Sequence, residues 1–359
     1  MPGLLDRWLR TGAAMAPEDG VRGGTASVGR DDLCLDPFDT LSHAAAKAPR
    51  ALSWTRAGIA DPASWQEKVR IKLTEISGYG RFGGPPQMLA RRDLGQVDGL
   101  RHQSFYVRAR HAFDVPVRIV YRDSVRPGAA AVICLQGGGI GMRVSWADAH
   151  TNAERDAVAA GFDFACQAAA RGHVAVCVEL MGAGERNCGG DGDDPGDTLR
   201  GIATHGMLIG HSLLGQHASD ISAVVNWLYG EEVDMPIDPA RTAVIGHDLG
   251  AAAALVSAAL DPRLAASALI DPPVRFRDAV KRRAVTPEMT MPGLLHWMDL
   301  DDILMLCAPR PVLACTAHES SVSDARDLLE AAELFYGLFD AGDALTVVDV
   351  PNALWDRVD

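Results

Sequence analysis

One short segment combines a carboxylate with the spacing that a sharp turn of the chain requires. Residues 246–250 read Gly-His-Asp-Leu-Gly and lie between the apolar run 242–245 and an alanine-rich stretch that ends at Leu260. A strand that turns directly into a helix needs small residues beside the turn, because strand and helix nearly touch there. The residue at the tip stands beside the helix N-terminus, which stabilises an anion. We therefore expect Asp248 to be a reactive carboxylate, either a nucleophile or a general base.

Three residues are candidate partners for this carboxylate. Asp271 follows the apolar run 265–270, and His318 lies in the loop after the run 311–316, where it could activate water or accept a proton. His247 precedes Asp248 in the turn itself and could line the cleft. Each has a structural alternative, as a turn aspartate, a surface loop histidine or a framework histidine, and these alternatives stay open here.

A glycine-rich loop follows the apolar run 129–135. Gln136, Gly137 and Gly138 could present backbone N–H groups to a developing oxyanion, as could the N–H of Leu249. A carboxylate at position 248 would repel the negative carbonyl oxygen of an ester intermediate. The combination therefore points away from plain serine-esterase chemistry, and the loop could instead hold an enolate while Asp248 removes a proton.

The elements that must position these residues alternate along the chain. Short, continuously apolar runs alternate with helical patterns, which predicts a mostly parallel, doubly wound sheet with helices on both faces. Right-handed crossovers place the carboxyl ends of the strands on one edge, where open α/β sheets bind ligands. An antiparallel strand pair is predicted at 105–109 and 115–121. Further strands are predicted at 129–135, 174–180, 242–245, 265–270, 311–316 and 345–350, and helices at 41–57, 64–77, 153–171, 219–229 and 325–339.

The predicted organisation is an N-terminal helical extension over residues 1–80 and one α/β domain over residues 81–359. In the extension, Trp65, Val69, Ile71, Leu73 and Ile76 are predicted to line a buried helix face. Residues 275–302 lie between two late strands and contain several methionines and a tryptophan. We interpret this segment as a candidate lid over the cleft.

Composition limits the partners and the compartment. The net charge of −13 argues against binding to nucleic acid or to an anionic membrane, and no stretch approaches the ~20 apolar residues that span a bilayer. The seven cysteines form no CxxC pair, which fits a reducing compartment, and residues 1–17 lack a long apolar core of a signal peptide. We predict a cytoplasmic protein with a small-molecule substrate and with no metal or cofactor.

Taken in their order along the chain, these motifs resemble the α/β-hydrolase superfamily, most closely its branch of dienelactone hydrolases and acetyl xylan esterase-like proteins. The likeness runs from about residue 65 to about residue 350, and Asp248 occupies the nucleophile elbow, where most members carry serine. The resemblance implies the α/β-hydrolase fold. Further matching pieces are the glycine loop at 136–139, residues 178–186, Asp220, residues 233–241, residues 261–263 and residues 308–311.

The resemblance also implies a triad of nucleophile, acid and histidine in that order, and the chain departs from it in at least two places. No histidine follows the last predicted strand, and the final histidine of the chain is His318. The expected acid position offers Glu319 instead of aspartate. Haloalkane dehalogenases and epoxide hydrolases of this superfamily do use aspartate as nucleophile, together with a histidine that activates water. Members of the branch are often dimers, which leaves a homodimer open.

Three functional hypotheses follow. The first is hydrolysis of a small ester, lactone, epoxide or halide through Asp248. The second is a lyase or cyclase that uses Asp248 as general base on a degenerate hydrolase scaffold. The third is a non-catalytic pseudo-hydrolase that binds a ligand in the old cleft. We favour an enzyme over a binding protein, and hydrolysis is favoured by the resemblance alone.

Overall fold

The computed structural model describes residues 35–80, 83–110, 113–189, 194–230, 233, 235–316 and 322–348. Within these residues, nine strands form one sheet. They are β1 (Gly83–Val97), β2 (Leu100–Arg110), β3 (Phe113–Tyr121), β4 (Ala129–Leu135), β5 (Val174–Val178), β6 (Ile237–His247), β7 (Leu264–Ile270), β8 (Val312–Cys315) and β9 (Leu345–Val348). Their spatial order is β1-β2-β3-β5-β4-β6-β7-β8-β9.

In the spatial order of the sheet, all strands from β5 to β9, including β4, are parallel, and the strands at the other end are antiparallel. β4 lies between β5 and β6 and pairs in parallel with both, and β6, β7, β8 and β9 continue in parallel. β1, β2, β3 and β5 are joined by antiparallel pairing. The mostly parallel sheet is confirmed, and so is the predicted antiparallel pair, in which Phe105 lies opposite Val117. β1 is an additional strand that was not predicted.

Helices cover both faces of this sheet. They are α1 (Pro37–Ala46), α2 (Pro62–Ser77), α3 (Asn152–Ala159), α4 (Phe164–Ala170), α5 (Pro195–Leu208), α6 (Leu213–Leu228), α7 (Leu249–Leu260), α8 (Phe276–Lys281), α9 (Leu294–Trp297), α10 (Leu300–Met305) and α11 (Val322–Gly337). Alternate β4 side chains enter different cores, since Ile133 packs in the cluster with α6 and α7, and Cys134 packs in the cluster with α4. None of the described helices combines the length and the apolar character that a membrane span requires.

Several helix boundaries differ from the prediction for local reasons. The helix predicted at 41–57 begins at Pro37, where the Asp36 side chain accepts a hydrogen bond from an N–H of the first turn, and it ends at Ala46. The helix predicted at 153–171 is divided into α3 and α4 around Gly161, which has a φ of 87°. The helix predicted at 219–229 begins earlier, at Leu213, and α5 precedes it where no helix was predicted.

The helix α2 packs into the core of the α/β fold. Trp65, Val69 and Leu73 are fully buried, and the indole N–H of Trp65 donates to the carbonyl of Leu52 at 2.9 Å. The prediction for Ile71 was wrong, because this side chain is 63% exposed. Residues 65, 69 and 73 recur at a helical spacing of four, whereas residue 71 lies midway between two of them and so faces away. A domain boundary at residue 80 stays a prediction.

The segment 275–302 is tied to the chain that precedes α2. Carbonyls of residues 295–297 accept hydrogen bonds from the N–H groups of residues 50–52, and Met291 and Met298 are buried in the core. An apolar cavity of about 450 Å³ lies between α1 and this segment, with Phe38, Leu41 and Phe276 in its wall. Asp248, His247 and Asp271 do not line this cavity. The role of the segment as a lid stays a prediction.

Candidate active site

The chain turns from β6 into α7 at Asp248. The backbone of Asp248 has φ 51° and ψ −116°, a conformation that is strained for a residue with a side chain. Its N–H donates to the carbonyl of Ile270 at the end of β7, at 3.0 Å. A Cβ on Gly246 would lie 2.1 Å from the carbonyl oxygen of Gly250, and a Cβ on Gly250 would lie 2.5 Å from the carbonyl oxygen of Gln136, so each flanking position has room only for glycine. The structure therefore has the predicted sharp turn, with its strain at the candidate reactive residue.

The Asp248 side chain is exposed at the carboxyl edge of the sheet. The N–H of Gly138 donates to its Oδ2 at 3.3 Å. Among the described residues no group donates to Oδ1, and the side chain does not cap α7. The N–H of Leu249, the first residue of α7, has no partner within its helix. One carboxylate oxygen is thus held by the glycine loop while the other is open to a reactant.

The side chain of Gln136 holds the glycine loop rather than facing the cleft. Gln136 is buried, and its Nε2 donates to Ser145 Oγ and to the carbonyl of Phe162, both at 2.8 Å. Of the predicted oxyanion residues, Gly138 is the one whose N–H reaches Asp248. Gly137 lies against both the His247 ring and the Asp248 carboxylate.

His247 and Asp271 lie side by side at the ends of the neighbouring strands β6 and β7. Nε2 of His247 is 3.4 Å from Oδ2 of Asp271, and the imidazole stacks on the Phe162 ring with a centroid separation of 3.9 Å. Asp271 has a φ of 48°, and its N–H donates to the carbonyl of Cys315 at 2.8 Å. The structure therefore brings together Asp248, His247 and Asp271 at one edge of the sheet.

Helix α5 covers the glycine loop, and the sequence analysis missed this contact. A Cβ on Gly138 would lie 3.3 Å from Cδ1 of Leu199, and a Cβ on Gly139 would lie 2.9 Å from Pro195. Leu199 is buried, so its side chain packs on the glycine loop and is shielded from solvent. The available signal was the pair Asp194-Pro195, because an N-cap aspartate followed by proline is typical of a helix start.

A buried carboxyl group, Glu179, fixes the chain on the other side of the loop. Its Oε1 accepts a hydrogen bond from the N–H of Met142 at 2.7 Å. Burial raises the pKa of Glu179 to about 7, and the hydrogen bond from Met142 opposes that rise only in part. Arg186 donates to the Glu179 carbonyl and also to the buried carboxylate of Asp220, each at 3.0 Å. These contacts are structural and support the turn at residues 182–186.

The stability of the protein is expected to fall as the pH rises from about 5 to about 8, with Glu179 as one cause. The pKa of this carboxyl is about 7 in the folded chain, against 4.5 for an unperturbed glutamate. Because the pKa is higher in the folded chain than in the unfolded chain, proton binding stabilises the fold. This contribution is complete when the pH is below the unfolded pKa of 4.5, and it is lost as the pH rises through the folded pKa of about 7. The shift corresponds to about 3 kcal/mol. Glu179→Gln keeps an acceptor for Met142, so its free energy of unfolding in urea should decline less with pH.

The exposed residue Glu333 provides a control for this measurement. Glu333→Gln should leave the wild-type pH dependence unchanged. Asp302, whose pKa burial also raises to about 7, titrates in both variants and so cancels from the comparison. Equal slopes for Glu179→Gln and wild type between pH 5 and pH 8 would contradict the prediction.

The remaining candidates do not join the site in the part of the chain that the structure describes. His318 and Glu319 lie outside the described residues, so the pairing of His318 with Asp248 stays a prediction. Two other histidines lie elsewhere: His205 is exposed on α5, with Nδ1 2.7 Å from the carbonyl oxygen of Gly201, and His211 is buried against Gly78. No three described His, Cys, Asp or Glu side chains converge as metal ligands would.

Known proteins share this architecture at low sequence identity. One is assigned as an acetyl xylan esterase of Bacteroides fragilis NCTC 9343, with a TM-score of 0.68 and 17% identity over 90% of this chain and 84% of that one. A glucuronoyl esterase from Solibacter usitatus matches with a TM-score of 0.58 and 13% identity, over 87% of this chain and 97% of that one. A CE15 glucuronoyl esterase from Teredinibacter turnerae T7901 matches with a TM-score of 0.53 and 17% identity, over 86% of each chain. At these identities the likeness shows the fold alone.

In sequence, no curated protein matches the chain. A family model does match it, over residues 50–337, and that model describes the Abhydrolase family. The match covers most of the chain, and its region contains the elbow, the glycine loop and eight of the nine strands of the sheet. The chain therefore has the α/β-hydrolase fold and belongs to the Abhydrolase family.

Proposed function

We propose that this chain is an enzyme that hydrolyses a small organic molecule at a saturated carbon, with Asp248 as the nucleophile in place of serine. The proposal is supported by the state of the Asp248 carboxylate. Its Oδ2 accepts a hydrogen bond from Gly138, whereas no described residue donates to Oδ1. The side chain is exposed at the carboxyl edge of the sheet, where a substrate can reach it.

In the first step, Oδ1 of Asp248 attacks a carbon that carries a leaving group, such as a halide or the oxygen of an epoxide. A halide departs with its electron pair as the anion, whereas an epoxide oxygen stays on the substrate and takes a proton from water. In both cases Asp248 becomes an alkyl ester. The N–H of Gly138 holds the carboxylate in place for this attack, and the position of Asp248 at the N-terminus of α7 favours its negative charge.

In the second step, water attacks the carbonyl carbon of this ester. Negative charge then develops on Oδ2, which already faces the N–H of Gly138. Hydrogen-bond donors that are aimed at such an oxygen stabilise the transition state. The glycine loop thus stabilises the oxyanion that forms on the ester carbonyl of Asp248 itself. Collapse of the intermediate releases an alcohol and restores the carboxylate.

The same geometry disfavours a carboxylic ester as substrate. The carbonyl oxygen of such a substrate would need the N–H of Gly138, which is already bonded to Asp248. The negative charge of Asp248 would also repel the oxyanion that forms. The esterase names of the structural neighbours belong to proteins with 13–17% identity and therefore carry little weight against this argument.

A second candidate is proton abstraction by Asp248 in a lyase or cyclase. One observation favours it: among the described residues, no imidazole is hydrogen-bonded to Asp248. A general base needs no water activator, and an enolate could occupy the donors of the glycine loop. The two candidates differ in whether Asp248 forms a covalent bond.

Single-turnover reaction in heavy-oxygen water tests the proposal. Excess enzyme is mixed with 1-bromobutane or styrene oxide and then digested with trypsin. Cleavage after Arg241 and Arg263 releases peptide 242–263, in which fragmentation separates Asp248 from Asp261. Heavy oxygen should enter the Asp248 carboxylate, because water attacks its carbonyl carbon, and the alcohol should carry ordinary oxygen.

Two results would count against a nucleophilic role. Turnover that leaves Asp248 unlabelled and places heavy oxygen in the alcohol indicates direct attack by water, with Asp248 as a base. No consumption of either probe and no label at Asp248 contradicts hydrolysis at a saturated carbon. Enzyme incubated in heavy-oxygen water without substrate is the control for label that enters by slow exchange.

A further inference from the structure

His247 has a ring nitrogen without a partner although that nitrogen is buried. Nδ1 is shielded from solvent, and no described residue makes a hydrogen bond to it. Buried polar atoms in this state cost free energy, and native proteins keep few of them. The other nitrogen, Nε2, lies 3.4 Å from Oδ2 of Asp271, and the ring stacks on Phe162. These contacts fix the direction in which Nδ1 points.

Nδ1 and the Asp248 carboxylate face the same side of Gly137. A Cβ on Gly137 would lie 3.0 Å from Nδ1 of His247 and 3.5 Å from Oδ2 of Asp248. Any larger residue at position 137 would therefore place side-chain atoms against both groups. Because position 137 is glycine, this residue places no side chain between Nδ1 and the carboxylate.

No histidine stands directly after the last strand, β9, where this fold usually provides one. Residues 349–359 contain none. An ester on Asp248 is stable unless a base activates water, so a carboxylate nucleophile without a histidine would be trapped after the first step. Among the described histidines, His247 is the one that lies beside Asp248.

We propose that His247 is the general base that activates the hydrolytic water, with Asp271 as its positioning residue. The inference rests on the proposed function, since this water attacks the ester on Asp248. An Nε2–H directed at the Asp271 carboxylate leaves a lone pair on Nδ1, which is the form that a general base needs. The Asp271 carboxylate also stabilises the imidazolium that forms when Nδ1 takes the proton.

The step balances without any further reactant. The water oxygen forms a bond to Cγ of Asp248, and one water proton passes to Nδ1 of His247. The bond between Cγ and the alkyl oxygen then breaks, and the alkoxide takes the proton from Nδ1 and leaves as the alcohol. The second water proton goes to solvent as Asp248 returns to a carboxylate.

The lifetime of the ester on Asp248 tests this assignment. Wild type, His247→Gln, Asp271→Asn and His318→Gln are mixed rapidly with 1-bromobutane or styrene oxide, and intact mass is followed over time. His205→Gln, a change on the exposed face of α5, is the control. In His247→Gln the adduct should form within about threefold of the wild-type rate but break down at least ~100-fold more slowly. Asp271→Asn should slow the breakdown to a smaller extent.

This split between the two steps separates catalysis from structural support, because a distorted elbow would slow adduct formation as well. His247→Asn is a second variant if the glutamine variant does not fold. Breakdown at the wild-type rate in the His247 variants would overturn the assignment of His247 but not the proposed function. The same conclusion would follow if the adduct accumulated in His318→Gln and not in the His247 variants. No adduct and no turnover in any protein, wild type included, would instead contradict the proposed function.

Discussion

Replacing Asp248 by asparagine is expected to lower the turnover of 1-bromobutane and styrene oxide by at least about 10⁴-fold, the scale seen when an enzyme loses its nucleophile. An amide is not a nucleophile at neutral pH, so the first step has no attacking group. Asparagine tolerates a positive φ better than most residues and keeps an oxygen that can accept from Gly138. The loss should therefore appear in the reaction and not in the fold.

Asp340 offers a matched control for this variant. It also has a positive φ, 55°, and is exposed, but it follows α11 and does not contact the elbow. Asp340→Asn should keep wild-type activity. Circular dichroism should show both variants folded. The free energy of unfolding of Asp248→Asn should fall by no more than about 1 kcal/mol, which is the effect of one charge at a helix N-terminus. Unchanged turnover in Asp248→Asn would show that Asp248 is not the nucleophile.

The elbow could be predicted from sequence because its requirements are local. Glycines at 246 and 250 around Asp248, an apolar run before them and an alanine-rich run after them leave few other conformations. The joint position of His247 and Asp271 follows from neighbouring parallel strands, since His247 pairs with Ile270 and Asp271 is the next residue. Whether the two side chains are in contact depends on the orientation of the His247 ring, which is fixed by stacking on Phe162.

The missed features depend on context. β1 has two prolines and a mixed polar pattern because it is an edge strand with one partner, β2. A signal was present in Asp98-Gly99, both with positive φ, which is typical of a tight hairpin turn. The break between α3 and α4 also shapes the candidate site, because it brings Phe162 under His247 and against Gln136. No local periodicity in residues 153–171 indicates that tertiary contact.

The largest stability effect is expected for Gly250→Ala. A Cβ at this position would lie 2.5 Å from the carbonyl oxygen of Gln136 and 2.7 Å from that of Leu135. Both are backbone atoms at the end of β4, which is paired on each side and cannot move away. We expect a loss of about 4 kcal/mol or more in the free energy of unfolding, measured by urea denaturation. Gly201→Ala in α5 is the control, because nothing lies within 4 Å of its Cβ and alanine favours a helix by up to ~1 kcal/mol.

In any Gly250→Ala protein that folds, the reaction at Asp248 should be impaired along with the packing of α7 on the end of β4. The carbonyls of Leu135 and Gln136 contact the first turn of α7, and the same loop delivers the N–H of Gly138 to Oδ2 of Asp248 two residues later. A shift of the helix by the few tenths of an ångström that a methyl group demands would lengthen that 3.3 Å hydrogen bond. Formation of the Asp248 ester should slow in parallel with the loss of stability. A variant within 1 kcal/mol of wild type would show that strand and helix are not as close as this architecture requires.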